Sequence, residues 1–248
     1  MTWRLNRLLA ARSGLSRRAA DMAIRARRVR VDGELATNPA AQVEASVALR
    51  LDGRFVPLPK NRTVVALNKP RGVTTTRIDR HAALNITQYL LKTAGGELDT
   101  KTIQALRPAG RLDEASRGLL ILSDDGELIN YLSHPSYEIR KEYELLIQSG
   151  KASDMLCMRA LEGIMDAESG DYLQVDACEL TEQSAETAVV TVIMHTGRKR
   201  ELRRLFRALG APLLDVKRIA IGRMRLANLK LADGEWKVLS ESEVKQLT

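Results

Sequence analysis

The sequence predicts an α+β protein: a small N-terminal unit of helices and strands, then a larger domain with a mixed, largely antiparallel sheet flanked by helices. Three observations carry this. Apolar residues make up 44% of the 248, enough for a substantial core. Helical and strand periodicities are interspersed without the regular alternation that builds a parallel sheet. Positive charge is concentrated at one end. Residues 1–30 hold nine arginines against one acid, Asp21, a surplus equal to the net charge of the whole chain, +8. A basic end on a body of no net charge is the footprint of a polyanion-binding module joined to something else.

The elements follow in order. Leu5, Leu8 and Leu9 recur at helical spacing with Arg4, Arg7 and Arg12 between them, and Gly14 ends that helix. Ser16 is placed to cap a second helix whose apolar stripe is Ala20, Ala23 and Ile24. VRVDGE and VALRLDGRFVPL, residues 29–34 and 47–58, each read as strand, Asp-Gly turn, strand. Residues 1–57 thus form one unit. PLPKNR carries two prolines and no apolar periodicity, which sets a linker at 58–63 and a second domain at 64–248. In that domain VVALNKPRG is a strand that breaks at Pro70 and Gly72, NITQYLLKT a helix and GGELDTKT a loop. GRLDEASRGLLILSDDG leads into a buried strand and ends in an acidic turn. A helix near 127–132, a strand at 141–147, the helix ASDMLCMRALEGI, the β-branched strand 187–195 and the helix RELRRLFRALG come next. Strands near 213–217 and 235–239 complete the domain.

Two segments carry chemistry. In residues 196–210, Leu202, Leu205, Phe206 and Leu209 share one helical face. Arg200, Arg203, Arg204 and Arg207 repeat that spacing two residues earlier, about 200° away. A surface helix that gains from i,i+4 pairs mixes its signs. This one is interrupted only by Glu201, so its polar face suits phosphate. In residues 110–113, an extended backbone puts Arg111 and Asp113 on one face and Leu112 on the other. An arginine beside a carboxylate favours the ionised form, which makes Asp113 a candidate nucleophile or base at a sheet edge. Read without context, the same pair is a structural ion pair at a strand start.

Other classes find little support. The histidines, at 81, 134 and 195, are scattered, and no Gly-rich phosphate loop or dinucleotide fingerprint is present. Cys157 and Cys178 lack metal-ligand spacing and are expected as free thiols in a reducing cytoplasm. No stretch approaches the ~20 apolar residues of a membrane span. The arginine-rich start could be taken for a transit peptide, but it runs straight into a hairpin signal.

Several segments together resemble one family. GRLDEASRGLLILSDDG is similar to the central motif of the ribosomal-RNA (RsuA-type) group of pseudouridine synthases. LNKPRGV resembles the group's opening motif, HPSYEIRKEYELLI its tyrosine-bearing motif and TGRKRELRRLFRALG its arginine-rich helix. VKRIAIGRMRLANLKLADGEWKVLSESEV resembles its terminal segment. Residues 1–57 resemble the α-L RNA-binding domain. The chain departs from the pattern at SDDG, where relatives carry an Asn before Asp-Gly, and at TGRKRE, where many carry EGRNRQ.

The resemblance implies an enzyme that isomerises a uridine in rRNA, without cofactor or metal. The large-subunit branch, near the peptidyl transferase centre, is favoured over the small subunit. It implies Asp113 as the catalytic carboxylate, Tyr143 lining the uracil, and Arg203 paired with Asp113. It also implies that Ile219 packs on the base, Arg111 holds the extruded nucleotide, and Lys69 contacts the RNA backbone. Arg200 and Arg204, with Arg7, Arg17, Arg18 and Arg28 of the N-terminal unit, would bind RNA. The expected partner is rRNA or a ribosomal assembly intermediate, the expected state a monomer in the cytoplasm. A non-catalytic RNA-binding assembly factor is the alternative of another class. It would have no need of Asp113.

Overall fold

The computed structural model describes residues 2–56, 62–76 and 84–247, so His81 and most of the linker expected at 58–63 lie outside the described residues. The chain divides into two compact units, residues 1–62 with 124–126, and residues 63–123 with 127–248.

In the first unit the helices Leu5–Ser13 and Arg17–Arg25 stand where the periodicity puts them. Gly14 closes the first in the left-handed region at φ 75°. The Ser16 side chain accepts from the Ala19 N–H at 3.1 Å, which satisfies one orphan donor at the start of the second. Both Asp-Gly turns have positive φ at both residues, 49° and 91° at Asp32-Gly33, 52° and 77° at Asp52-Gly53. That is the turn whose twist matches paired strands. The core joins Leu5, Leu8 and Leu9 to Ala20, Ala23, Ile24, Val29 and Leu49.

The second unit is built on a nine-stranded sheet. Its long elements, in chain order, are β1 (Val64–Lys69), α1 (Ile86–Thr93), α2 (Thr100–Ala105), β2 (Arg117–Ser123), α3 (Gly126–Ser133), β3 (Lys141–Gln148), α4 (Asp154–Glu162), β4 (Ala177–Gln183), β5 (Thr187–Met194), α5 (Glu201–Ala208), β6 (Asp215–Ile221) and β7 (Trp236–Val238). The strand order is β4-β5-β3-β6-β2-β1-β7. Two short strands complete it, Arg107–Pro108 on β2 and Met224–Arg225 on β6. Among the described strands of the sheet only the β6–β2 pair is parallel, so the sheet is mixed and largely antiparallel, as the sequence leads one to expect.

Burial follows the two-residue period. On β1, Val64 and Ala66 enter one core cluster, and Val65 and Leu67 enter another on the opposite face. Leu119 and Ile121 of β2 divide from Leu120 and Leu122 in the same way. These strands are covered on both sides, which is why they read as unbroken apolar runs. On β5 only Ala188, Val190, Val192 and Met194 are fully buried, against α4 and α5.

Two expectations are corrected. GGELDTKT is not all loop: Asp99 accepts from the Thr102 N–H at 2.8 Å and starts α2 at Thr100. The cysteines are not free thiols. Cys157 of α4 and Cys178 of β4 are joined in a disulfide, with Cα atoms 5.1 Å apart, because α4 packs against β4.

Candidate active site

The segment GRLDEAS runs just ahead of β2. That strand has neighbours on both sides, so Asp113 stands at the end of an interior strand and not at the sheet edge. Leu112 is buried, Arg111 exposed and Asp113 half-buried, the alternation expected of an extended backbone.

Six successive carbonyls in this segment accept a hydrogen bond. Arg218 Nη1 donates to that of Arg111 (3.4 Å) and Thr75 Oγ1 to that of Leu112 (3.3 Å). The Ser116 N–H donates to Asp113 O (3.0 Å) and the Gly72 N–H to Glu114 O (2.9 Å). Arg203 Nη2 donates to Ala115 O (3.2 Å) and Lys69 Nζ to Ser116 O (2.8 Å). A loop whose polar backbone is satisfied in one geometry holds its side chains in that geometry. The rotational freedom of Asp113 is thus confined to its own side chain.

Three donors to this loop are cations placed in low dielectric. Lys69 has no exposed surface and also donates to Pro70 O at 2.9 Å. Burial pulls its pKa down to about 8; Glu114 opposes this and Arg218 adds to it. Arg218, 2% exposed, donates through Nε to Leu119 O at 2.7 Å, and its Nη2 is buried with no partner among the described residues. Lys141 is likewise drawn down to about 8 by burial and by Arg218. Burial also lowers Arg203, against the attraction of Asp113.

Asp113 and Arg111 line an open cavity of about 520 Å³, together with Tyr143 of β3 and Arg203 of α5. Tyr143 is 7% exposed and sits between Val192 of β5 and Arg218 of β6. The segment Gly197–Arg200 forms the far part of the wall. It is shaped by Arg200, at φ 53° in the left-handed region, and by the buried Glu201, whose Oε2 accepts the Arg198 N–H at 2.8 Å. Residues 90 positions apart in the chain thus meet around one carboxylate. A hydroxyl, two guanidiniums and a carboxylate around one open cavity suit a planar polar ring.

Several expected roles change. Arg203 makes no ion pair with Asp113 among the described residues. It spans Ala115 O and Leu213 O instead, and the attraction of Asp113 for its charge is through space. Lys69 is buried and bonded to the loop, so it supports Asp113 and presents nothing to a ligand. Ile219 is not in the cavity wall. It is the extra residue of a bulge, since Glu142 pairs with Ala220 and Tyr143 with Arg218. Arg204 is held by Asp166 (2.8 Å), Asp171 (2.9 Å) and Ser169 (2.6 Å) and is occupied. Arg200 is exposed on the cavity wall. In the first unit Arg17 and Arg18 are exposed, Arg7 lies over the Trp3 ring at 5.8 Å, and Arg28 is forked onto Asp52 at 2.7 and 2.6 Å.

Arg218 is the residue that sequence reasoning missed. The signal was present: an arginine inside the apolar run of VKRIAIG is either an error of register or a buried charge with a task.

The chain is similar to known proteins along nearly its whole length. Residues 63–208 match the family model described as RNA pseudouridylate synthase, and residues 3–48 match the S4 domain. An RNA pseudouridine synthase of Aquifex aeolicus is 32% identical over all of this chain and 94% of its own length. The ribosomal large subunit pseudouridine synthase B of Bacillus subtilis is 31% identical over 98% of this chain and 95% of its own. A crystal structure of a pseudouridylate synthase superposes with a TM-score of 0.65, at 24% identity, over 99% of both chains, a likeness of fold. The chain belongs to the RNA pseudouridylate synthase family and carries an S4 domain ahead of the catalytic one.

Proposed function

We propose that the chain isomerises one uridine of large-subunit rRNA to pseudouridine in the cavity over Asp113. One observation carries this: Asp113, held on a loop with every carbonyl from 111 to 116 bonded, shares a cavity with Tyr143, Arg203 and Arg111. The choice of large-subunit rRNA rests on the name of the Bacillus relative and on the motif around Tyr143.

The chemistry balances without a co-reactant. The C1′–N1 bond of uridine breaks, the uracil turns, and a C1′–C5 bond forms. C5 loses its hydrogen and N1 gains one. Asp113 either adds to C1′ or takes a proton from the neighbouring ribose carbon; both need an ionised, fixed carboxylate. Arg203 lines the same cavity without bonding to Asp113 and leaves its oxygens open to the ribose. Tyr143 lies along the uracil and assists removal of the C5 proton. A base inside folded RNA must leave its stack at a cost of a few kcal/mol. Arg111 and Arg200 at the rim offset this by holding the extruded nucleotide. The N-terminal unit docks on the RNA through Arg17 and Arg18, and the reaction takes place in the cytoplasm.

The test is a reconstituted reaction on a large-subunit rRNA transcript, scored by reverse-transcription stops after carbodiimide labelling. One new stop with wild-type protein and none with Asp113→Asn is expected. Stops with both proteins would remove Asp113 from the reaction.

A further inference from the structure

Two arginines beside the cavity have no part in the reading above. Arg71 stands in the turn that ends β1, and Arg117 opens β2. Both reach Asp215 at the start of β6. Arg71 donates to Oδ1 from Nε at 3.1 Å and from Nη2 at 2.6 Å, and Arg117 donates to Oδ2 from Nε at 2.6 Å. The Asp215 side chain is 5% exposed, whereas those of Arg71 and Arg117 are 53% and 36% exposed. The carboxylate is inside and the guanidiniums face out.

One carboxylate holding two guanidiniums leaves a positive surplus. It also leaves donors. Among the described residues, Nη1 of Arg71 and both terminal nitrogens of Arg117 have no hydrogen-bond partner. The side chains are nevertheless fixed, because Asp215 anchors each through its Nε. A preorganised arginine loses less entropy on gripping a ligand than a free one.

Its place gives the pair its ligand. Ser116, just before Arg117, and Val216, just after Asp215, both line the cavity. The Gly72 N–H bonds to Glu114 O, tying the Arg71 turn to the Asp113 loop. The charge of Arg203 is influenced by both Asp215 and Arg71. A nucleotide seated over Asp113 brings its flanking phosphates to this rim, and planar guanidinium forks match phosphate oxygens.

We propose that Arg71 and Arg117, forked onto the buried Asp215, clamp the backbone phosphates that flank the uridine in the cavity. This rests on the reading of the cavity as the uridine site. The competing view is an ion-pair knot that only joins the ends of β1, β2 and β6.

The two part in their salt dependence. Affinity for the large-subunit rRNA transcript is measured at several salt concentrations for wild type, Arg71→Gln, Arg117→Gln, the double variant and Arg117→Lys. Thermal melts report folding. Each lost phosphate contact reduces the slope of log affinity against log salt by about 0.7–0.9. Each single Gln variant is expected to bind several-fold more weakly with that reduction, the double variant to show about twice the reduction, and Arg117→Lys to keep most of the slope. If the double variant melts early, Arg117→Gln decides, because Arg71 still satisfies Asp215. An unchanged slope in Arg117→Gln, with or without a lower melting point, overturns the clamp. So does weaker binding at unchanged slope. Pseudouridine formation by wild type on the same transcript is scored in parallel. If none forms, the uridine reading fails, and the slopes still decide whether the pair binds phosphate.

Discussion

Lys69 and Arg218 help to hold the loop that carries Asp113, and neither lines the cavity. Both donate to the loop from below it in the core, and both are charged where charge is costly. The pKa of Lys69, about 8, lies below the 10.5 of an ordinary lysine. Between those values the unfolded chain binds more protons than the folded one, so stability rises with pH across that window. Lys141, also at about 8, acts in the same direction. Urea denaturation at pH 7.5 and pH 10 is expected to show a gain in the wild type that is smaller in Lys69→Met. Arg218→Met leaves the carbonyls of Leu119 and Arg111 unpaired and is expected to cost about 1–3 kcal/mol by the same measurement. Asp113→Asn keeps every backbone bond of the loop. It is expected to leave folding intact while lowering turnover by about a thousand-fold or more, the scale on which losing a reacting or proton-transferring group acts.

Among the elements, those legible in the sequence were the ones whose signals are local. Ser16 announces its helix by capping, Gly14 ends one, and the Asp-Gly pairs at 32–33 and 52–53 turn two hairpins. The helix at Thr100 was missed because its cap, Asp99, sits in a polar stretch without apolar periodicity. The occupation of Arg204 was not legible either, because Asp166 and Asp171 lie more than 30 residues away and only the fold brings them to α5. The Cys157–Cys178 link, the bulge at Ile219 and the Asp215 fork have the same origin in tertiary pairing. One local feature does report a tertiary contact. Gly118 has φ 104° at the one parallel pairing in the sheet, and a Cβ there would lie 2.3 Å from the Arg218 carbonyl oxygen. Gly118→Ala is expected to cost about 2–4 kcal/mol, from positive φ and overpacking together, and to loosen the loop that β2 and β6 hold. A calorimetric melt compared with that of the wild type checks this.

For the whole molecule, the division of labour visible in the charge pattern carries over to the fold. The +8 of residues 1–30 belongs to the S4 domain, and the cavity proposed for the carboxylate chemistry belongs to a unit assembled from widely separated segments. Deleting residues 1–57 is expected to weaken rRNA binding by about tenfold or more at low salt, with a smaller effect at high salt, where the phosphate contacts of the deleted arginines contribute less. Filter binding at two ionic strengths measures both. Which partners meet at the cavity was legible only because five motifs occur in order. From spacing alone, Arg111 and Asp113 remain an ion pair at a strand start, and Tyr143 a residue covering the core.

The most direct measurement is mass-spectrometric mapping of pseudouridine in rRNA from cells that lack the gene, restored with wild type or with Asp113→Asn. A single large-subunit site should vanish with the gene, return with wild type and stay absent with Asp113→Asn. An unchanged large-subunit map, or a site that Asp113→Asn restores, would contradict the assignment of Asp113 as the catalytic carboxylate of a large-subunit rRNA enzyme.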